Sequence, residues 1–178
     1  MIELLRRRRS IRRYEDRPIE REKIEVLMEA VLRSPSSRGL APWSFIFVED
    51  NELLRRLSFS KSRGSEFLKD AALGVAVCAD ETVSDCWVED ASIASIILQL
   101  CAQALGLGTC WIQVRGRPHS SEKSAEAYVK EVLQIPEALR VLCIISIGYP
   151  AERKDPTPKE ALHYGRIHHN VYGSAWSS

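Results

Sequence analysis

No two of the five cysteines, at 78, 86, 101, 110 and 143, make a C-x-x-C pair, and their number is odd. Such a set offers neither a zinc ribbon nor a disulfide framework. Most lie in apolar runs, Cys78 after Val75-Ala76-Val77 and Cys143 between Leu142 and Ile144, so buried, reduced thiols are expected. The four histidines, 119, 163, 168 and 169, form no H-E-x-x-H, and the adjacent pair His168-His169 would point its rings apart, so no metal site is expected. G-x-S-x-G and the phosphate-binding G-x-x-x-x-G-K-[ST] are also missing. Gly106-Leu107-Gly108 follows a helical pattern and lacks a third glycine, which excludes the dinucleotide-binding fingerprint. Net charge is scarce too. Twenty-five Lys+Arg against 24 Asp+Glu leave +1, too little for a general nucleic-acid or anionic-membrane coat, so any anion site must come from local clustering. The uncharged run 91–105 is fifteen residues long before Gly106 interrupts it, short of the ~20 needed to cross a bilayer. The first residues run from Met1-Ile2 straight into arginines with no apolar signal core, so a cytoplasmic protein is expected.

What remains is a globular chain of 178 residues, a length that suits one domain. A short helix is expected over 3–9 and an extended segment over 10–15. Pro18 should open a second helix, whose buried face is Ile24, Leu27, Met28, Val31 and Leu32. Strands are expected at 43–48, 73–79, 109–114 and 141–147. Helices are expected at 51–57, at about 89–105, and at 121–133 with Ser120 or Ser121 as cap. Helix 89–105 is apolar nearly all round and therefore belongs in a core or a subunit interface. Alternating helices and apolar strands give an α+β or α/β domain around one sheet. That body spans 1–150. Residues 151–178 are polar yet contain Tyr164, His168, His169, Tyr172 and Trp176, the composition of an arm that packs on something.

Three segments have the residue types for chemistry. Arg8-Arg9-Ser10-Ile11-Arg12-Arg13-Tyr14 packs six arginines into residues 6–13. Extended, it places Arg8, Ser10 and Arg12 on one face, two guanidiniums and a hydroxyl that suit phosphate oxygens, and Arg9, Ile11 and Arg13 on the other. A solvated basic run or a small nucleic-acid patch is the competing reading. Pro35-Ser36-Ser37-Arg38-Gly39-Leu40-Ala41-Pro42-Trp43 is a small-residue passage into a strand, through which a flat ligand can approach the backbone. Gly106 to Gln113 releases a helix into a strand that ends at a polar side chain.

In this order, together with Glu89-Asp90-Ala91-Ser92-Ile93-Ala94 and Ile147-Gly148-Tyr149-Pro150-Ala151-Glu152, the segments resemble the nitroreductase family of FMN-dependent oxidoreductases along almost the whole chain. The resemblance implies an α+β sandwich, a central mixed sheet flanked by helices, in a homodimer whose C-terminal arms are exchanged. FMN would lie at the subunit interface. Arg8, Arg9 and Ser10 match its phosphate and ribityl contacts, and Arg12 the cation near N1 and O2 of the flavin. Pro35, Ser36, Ser37 and Gly39 match the segment reaching in from the other subunit, Ile112 and Gln113 the strand end passing N5. Lys159, with Lys154 as rival, matches the tail cation that closes on the phosphate. No side chain need act as catalyst. NAD(P)H would reduce the flavin, and a nitroaromatic, quinone or similar acceptor would reoxidise it in ping-pong fashion. A same-fold enzyme for a dedicated metabolite, or a non-catalytic flavin-binding protein, is the alternative. Gly39 and Ala41 stand where many relatives carry Asn and Gln, and Gln113 where small relatives often carry Gly.

Overall fold

A computed structural model describes residues 1–176. Strands β1 (Trp43–Val48), β2 (Leu73–Asp80), β3 (Gly108–Gln113) and β4 (Leu139–Gly148) form one sheet in the order β1-β2-β4-β3. All three pairings are antiparallel. The sheet is mixed only through a single parallel bridge, Ser10 to Thr109, on the outer edge of β3. β2 and β4 lie in the middle and are apolar on both faces, as a strand covered on both sides must be. Along β2, Val75 and Val77 enter one core, and Ala76 and Cys78 the other, the period of two expected of a strand.

The first core packs under helices α2 (Arg21–Leu32) and α4 (Trp87–Ala104) through Ile24, Leu27, Val31, Ala91, Leu98 and Ala102. The second packs under α3 (Asn51–Leu57) and α5 (Ala125–Leu133) through Leu54, Leu57, Ala125 and Val129. No helix among the described residues is long and apolar enough to cross a membrane. The short α1 (Ile2–Arg7) precedes the arginine segment and buries no residue.

Boundaries differ from expectation in two places. Pro18 does not open α2. The helix begins at Arg21 with Glu20 as N-cap, because Ile19 is buried in the core ahead of it. α5 begins at Ala125 and not 121, since Ser124 caps it, its hydroxyl accepting from Ala127 N at 3.0 Å. α4 is less enclosed than its composition implies. Ile93 and Ile96 remain exposed and Ile97 and Leu100 half-buried, an apolar stripe at helical spacing that this chain leaves uncovered. The tail makes only two 3-10 turns, Lys159–Ala161 and Tyr164–Arg166, and one bridge between His168 and Ala175.

Candidate functional site

The arginine segment lies along the outer edge of β3. Ile11 N donates to Thr109 O at 2.9 Å. The Tyr14 hydroxyl, buried, donates to Ile11 O at 2.7 Å and lies 2.7 Å from Ser146 Oγ, and its burial pushes its pKa up. The beginning of the tail holds the segment from outside. Ala151 N donates to Arg13 O at 2.9 Å, Arg12 N to Glu152 Oε1 at 2.6 Å, and Lys154 Nζ to Ser10 O at 2.8 Å.

Pinned this way, the segment shows the two faces expected of it. Arg9 and Ile11 line a hollow of about 730 Å³ shared with Gly108, Arg153 and Lys154. Arg12 lines a second one, of about 390 Å³, with Trp111, Gln113, Phe67, Lys61, Arg63 and Arg117. The Arg12 guanidinium lies 5.7 Å from the centre of the Phe67 ring. Arg8 and Ser10 are half-buried just ahead of it. Arg12, Lys154 and Lys61 are all near enough to Cys110 to favour its thiolate, although burial outweighs them and pushes this thiol up.

The cysteines are packing residues. All five are free, Cys78, Cys110 and Cys143 are buried, and burial pushes Cys78 up to about 12. A thiol so placed is a poor nucleophile at neutral pH.

Most charged side chains on α2, α3 and α5 are paired. Arg8, Arg12, Lys61, Arg63 and Arg117 have no carboxylate within ion-pair distance among the described residues. Cations that gather without acids form a ready anion receiver. The donor set fits FMN: guanidinium and hydroxyl groups at Arg8 and Ser10 for a phosphate, then aromatic walls at Phe67 and Trp111 beside the fixed charge of Arg12 for a flat ring.

Several expected contacts sit elsewhere. The Ile112 side chain is wholly buried in the second core, so only its backbone can meet a ligand, while Trp111 and Gln113 face the hollow, joined by a 2.8 Å bond from Trp111 Nε1 to Gln113 Oε1. Lys159 is exposed at the start of a 3-10 turn, and Lys154 is the tail cation beside Ser10. Pro35, Ser36, Ser37 and Gly39 lead into β1, the opposite edge of the sheet from β3. Three strand spacings, roughly 14 Å, separate those edges, so one chain does not bring both groups onto one ligand.

That passage is built with care where it stands. Buried Asp90 accepts from Ser37 N at 2.7 Å and from Ser84 Oγ at 3.0 Å, and Ser36 Oγ accepts from Ala41 N at 2.8 Å. Arg38, Gly39 and Ala41 all have positive φ, 54°, 68° and 48°. Strained backbone of this kind concentrates where a segment has a task. Asp90→Ala leaves the Ser37 N–H and the Ser84 hydroxyl without their acceptor. It is expected to lower unfolding stability by about 1–3 kcal/mol, read from urea denaturation, whereas Asp90→Asn, which keeps one acceptor oxygen, should cost less.

Lys61, Arg63 and Arg117 escaped the sequence reading. The available signal was Lys61 and Arg63 two apart in the Ser58–Ser65 loop, but nothing local linked them to Arg117, which arrives from a loop beyond β3.

The description "Nitroreductase family" belongs to the family model that matches residues 5–97 and 64–149. An FMN-dependent nitroreductase structure from Clostridium difficile R20291 superposes with a TM-score of 0.95 at 45% identity, covering 97% of this chain and 100% of that one. A provisionally named NADH dehydrogenase/NAD(P)H nitroreductase of Archaeoglobus fulgidus is 38% identical over 158 residues, 86% of this chain and 87% of its own length. An NAD(P)H-using FMN reductase of Bacillus subtilis is 30% identical over 195 residues, 96% of this chain and 75% of its own length.

Proposed function

The chain belongs to the nitroreductase family, and from that membership we propose how it works as an NAD(P)H-dependent flavin oxidoreductase with FMN as its cofactor. One observation carries the site assignment: Arg8, Ser10 and Arg12 sit on one pinned segment, with unpaired cations leading into an aromatic-walled hollow. Bound FMN supplies a ring that accepts a hydride from a nicotinamide and returns electrons to an acceptor. The chain's own groups bind and orient. Arg8 and Ser10, aided by Lys154, donate to the phosphate. Arg12 holds a permanent positive charge at the edge of the ring where reduction adds negative charge. Phe67 and Trp111 keep water from the ring's surroundings. Arg9 has its guanidinium on the Asp155 carbonyl and steadies the tail. Gln113 offers an amide at the strand end, its own Nε2 already donating to Arg115 O at 2.9 Å.

Donor and acceptor take turns in one place. Initial rates against both substrates should therefore give parallel lines in double-reciprocal plots. Intersecting lines would mean that both bind together.

Pro35, Ser36, Ser37 and Gly39 serve the site of a second copy, since they lie too far from their own chain's Arg12. The uncovered stripe Ile93, Ile96, Ile97 and Leu100 on α4 supports a dimer with α4 at its centre. Residues 1–150 then form the body and 151–178 an arm laid on the partner. Exposed Leu162, Tyr164, Ile167, Val171, Tyr172 and Trp176, with the unpaired outer edge of β1, support the arm. Deleting residues 157–178, which spares Glu152 and Lys154, is expected to yield monomer by light scattering. A stable dimer of the shortened chain would refute the exchanged arm.

The functional reading is tested by the visible spectrum of the purified protein under anaerobic conditions. Flavin bands that bleach on addition of NADH or NADPH are expected, and the more effective nucleotide identifies the donor. Bands that never bleach would mean a flavin protein fed by a different donor.

A further inference from the structure

We propose that this enzyme prefers electron acceptors bearing an oxyanion, an aromatic or quinonoid ring with a carboxylate, sulfonate or phosphate, and that Arg63 and Arg117 select them. The proposal rests on the flavin oxidoreductase reading of the same hollow and names its substrate class.

Four cations, Arg12, Lys61, Arg63 and Arg117, line the hollow beside Phe67 and Trp111, and no Asp or Glu lines it. The whole chain has a net charge of +1, so this is local concentration and not a general basic surface. The nearby carboxylates are engaged. Glu66 accepts from Gly64 N at 2.7 Å, and Glu152 accepts from Arg12 N and pairs with Lys154 at 3.2 Å. Burial disfavours the Lys61 ammonium first, and the Arg117 guanidinium disfavours it further, two like charges with no anion between them. An oxyanion entering there relieves that repulsion and gains charge-assisted hydrogen bonds.

The cations are presented by anchored loops. The buried Ser65 hydroxyl donates to Ser58 O at 2.8 Å, closing the loop that carries Lys61 and Arg63. A His119 ring nitrogen lies 2.9 Å from Phe59 O and ties that loop to the one bearing Arg117. The His119 ring is stacked on Tyr128 at 4.1 Å, and the Tyr128 hydroxyl donates to Arg56 O at 3.0 Å. Arg12 accounts for the flavin's own need of a fixed charge. Arg63 and Arg117, exposed on the outer side of the hollow, are left for what enters after it.

The test uses flavin-loaded, oxidised enzyme and a matched pair of unreactive rings, benzoate and benzamide, titrated calorimetrically. Benzoate is expected to bind at least about tenfold more tightly. That advantage should shrink with added salt and fall to about twofold or less in Arg63→Ala/Arg117→Ala at unchanged flavin content. In turnover, 4-nitrobenzoate should exceed 4-nitrobenzamide in kcat/KM, with the same loss in the double variant. Equal binding of the two rings by fully flavin-loaded enzyme overturns the proposal. So does a double variant that keeps the benzoate advantage and instead shows a raised KM for NADPH but not NADH, because the arginines would then serve the nucleotide's extra phosphate. A chain that takes up no flavin fails the oxidoreductase reading itself and the proposal with it, an outcome the absorption spectrum separates from the other two.

Discussion

Replacing Arg8 and Ser10 together by alanine is expected to give protein that emerges from purification colourless. A dianionic phosphate out of water depends on donors that are charged or pre-aimed. Each charge-assisted hydrogen bond of this kind is worth about 1.5–3 kcal/mol. Losing two removes roughly 3–6 kcal/mol, a factor on the order of 10²–10⁴ in the FMN dissociation constant. Neither side chain has a structural role that would confuse the result. Arg8 makes no ion pair among the described residues, and the segment is held by other groups, Ile11 and Tyr14 in the core and Glu152 and Lys154 on backbone atoms. The double variant should therefore melt like the wild-type apoprotein while failing to retain flavin, as the ratio of absorbance near 450 nm to that at 280 nm reports. Full flavin content in the variant would place the phosphate elsewhere.

The second large effect comes from two glycines that never touch the ligand. At Gly108 an added Cβ would meet Cβ, Cγ1 and Cγ2 of Ile11, each at 2.9 Å. At Gly148 it would meet Cδ1 and Cγ of Tyr14 at 2.8 and 3.1 Å. Ile11 is stiff at its branched Cβ, and Tyr14 is fixed by its hydroxyl, so neither yields cheaply. Overpacking of this sort costs about 1–3 kcal/mol per site. Gly108→Ala and Gly148→Ala should each lower the urea midpoint. Combined, their effects should fall short of the sum, because both push off the same segment and the second finds it already displaced. Flavin affinity should fall with them, since Arg8 to Arg12 move with Ile11. Unchanged stability in Gly108→Ala would show that the edge of β3 has slack that its contacts do not indicate.

The helices and strands were readable in the sequence wherever the hydrophobic period was unbroken. β1 and α3 lie over the expected residues, and β2 and β4 differ by one or two at the ends. The helix starts were misread where a cap outside the periodic run decided the matter, Glu20 for α2 and Ser124 for α5. The two-faced arginine segment was readable because alternation is a local property. The second source of positive charge was not. Lys61, Arg63 and Arg117 meet Arg12 only because the 58–65 loop and the loop after β3 are tied together through His119 and Phe59, a pairing sixty residues apart that leaves no periodic trace. Ile112 was misassigned for a similar reason. Its place in the family pattern marks the strand end correctly, but the strand's period of two sends its side chain into the core and gives the hollow to its neighbours.

The clasp between residues 10–15 and 149–154 also sets an order of events during synthesis. Ser10, Arg12, Arg13 and Glu15 are each held by groups that follow the last strand. A ribosome must have released nearly the whole body before the first cofactor-binding residues have anything to lean on. The opening arginines are thus translated first and placed last, and a truncated product that stops short of Tyr149 lacks the partners that shape their site.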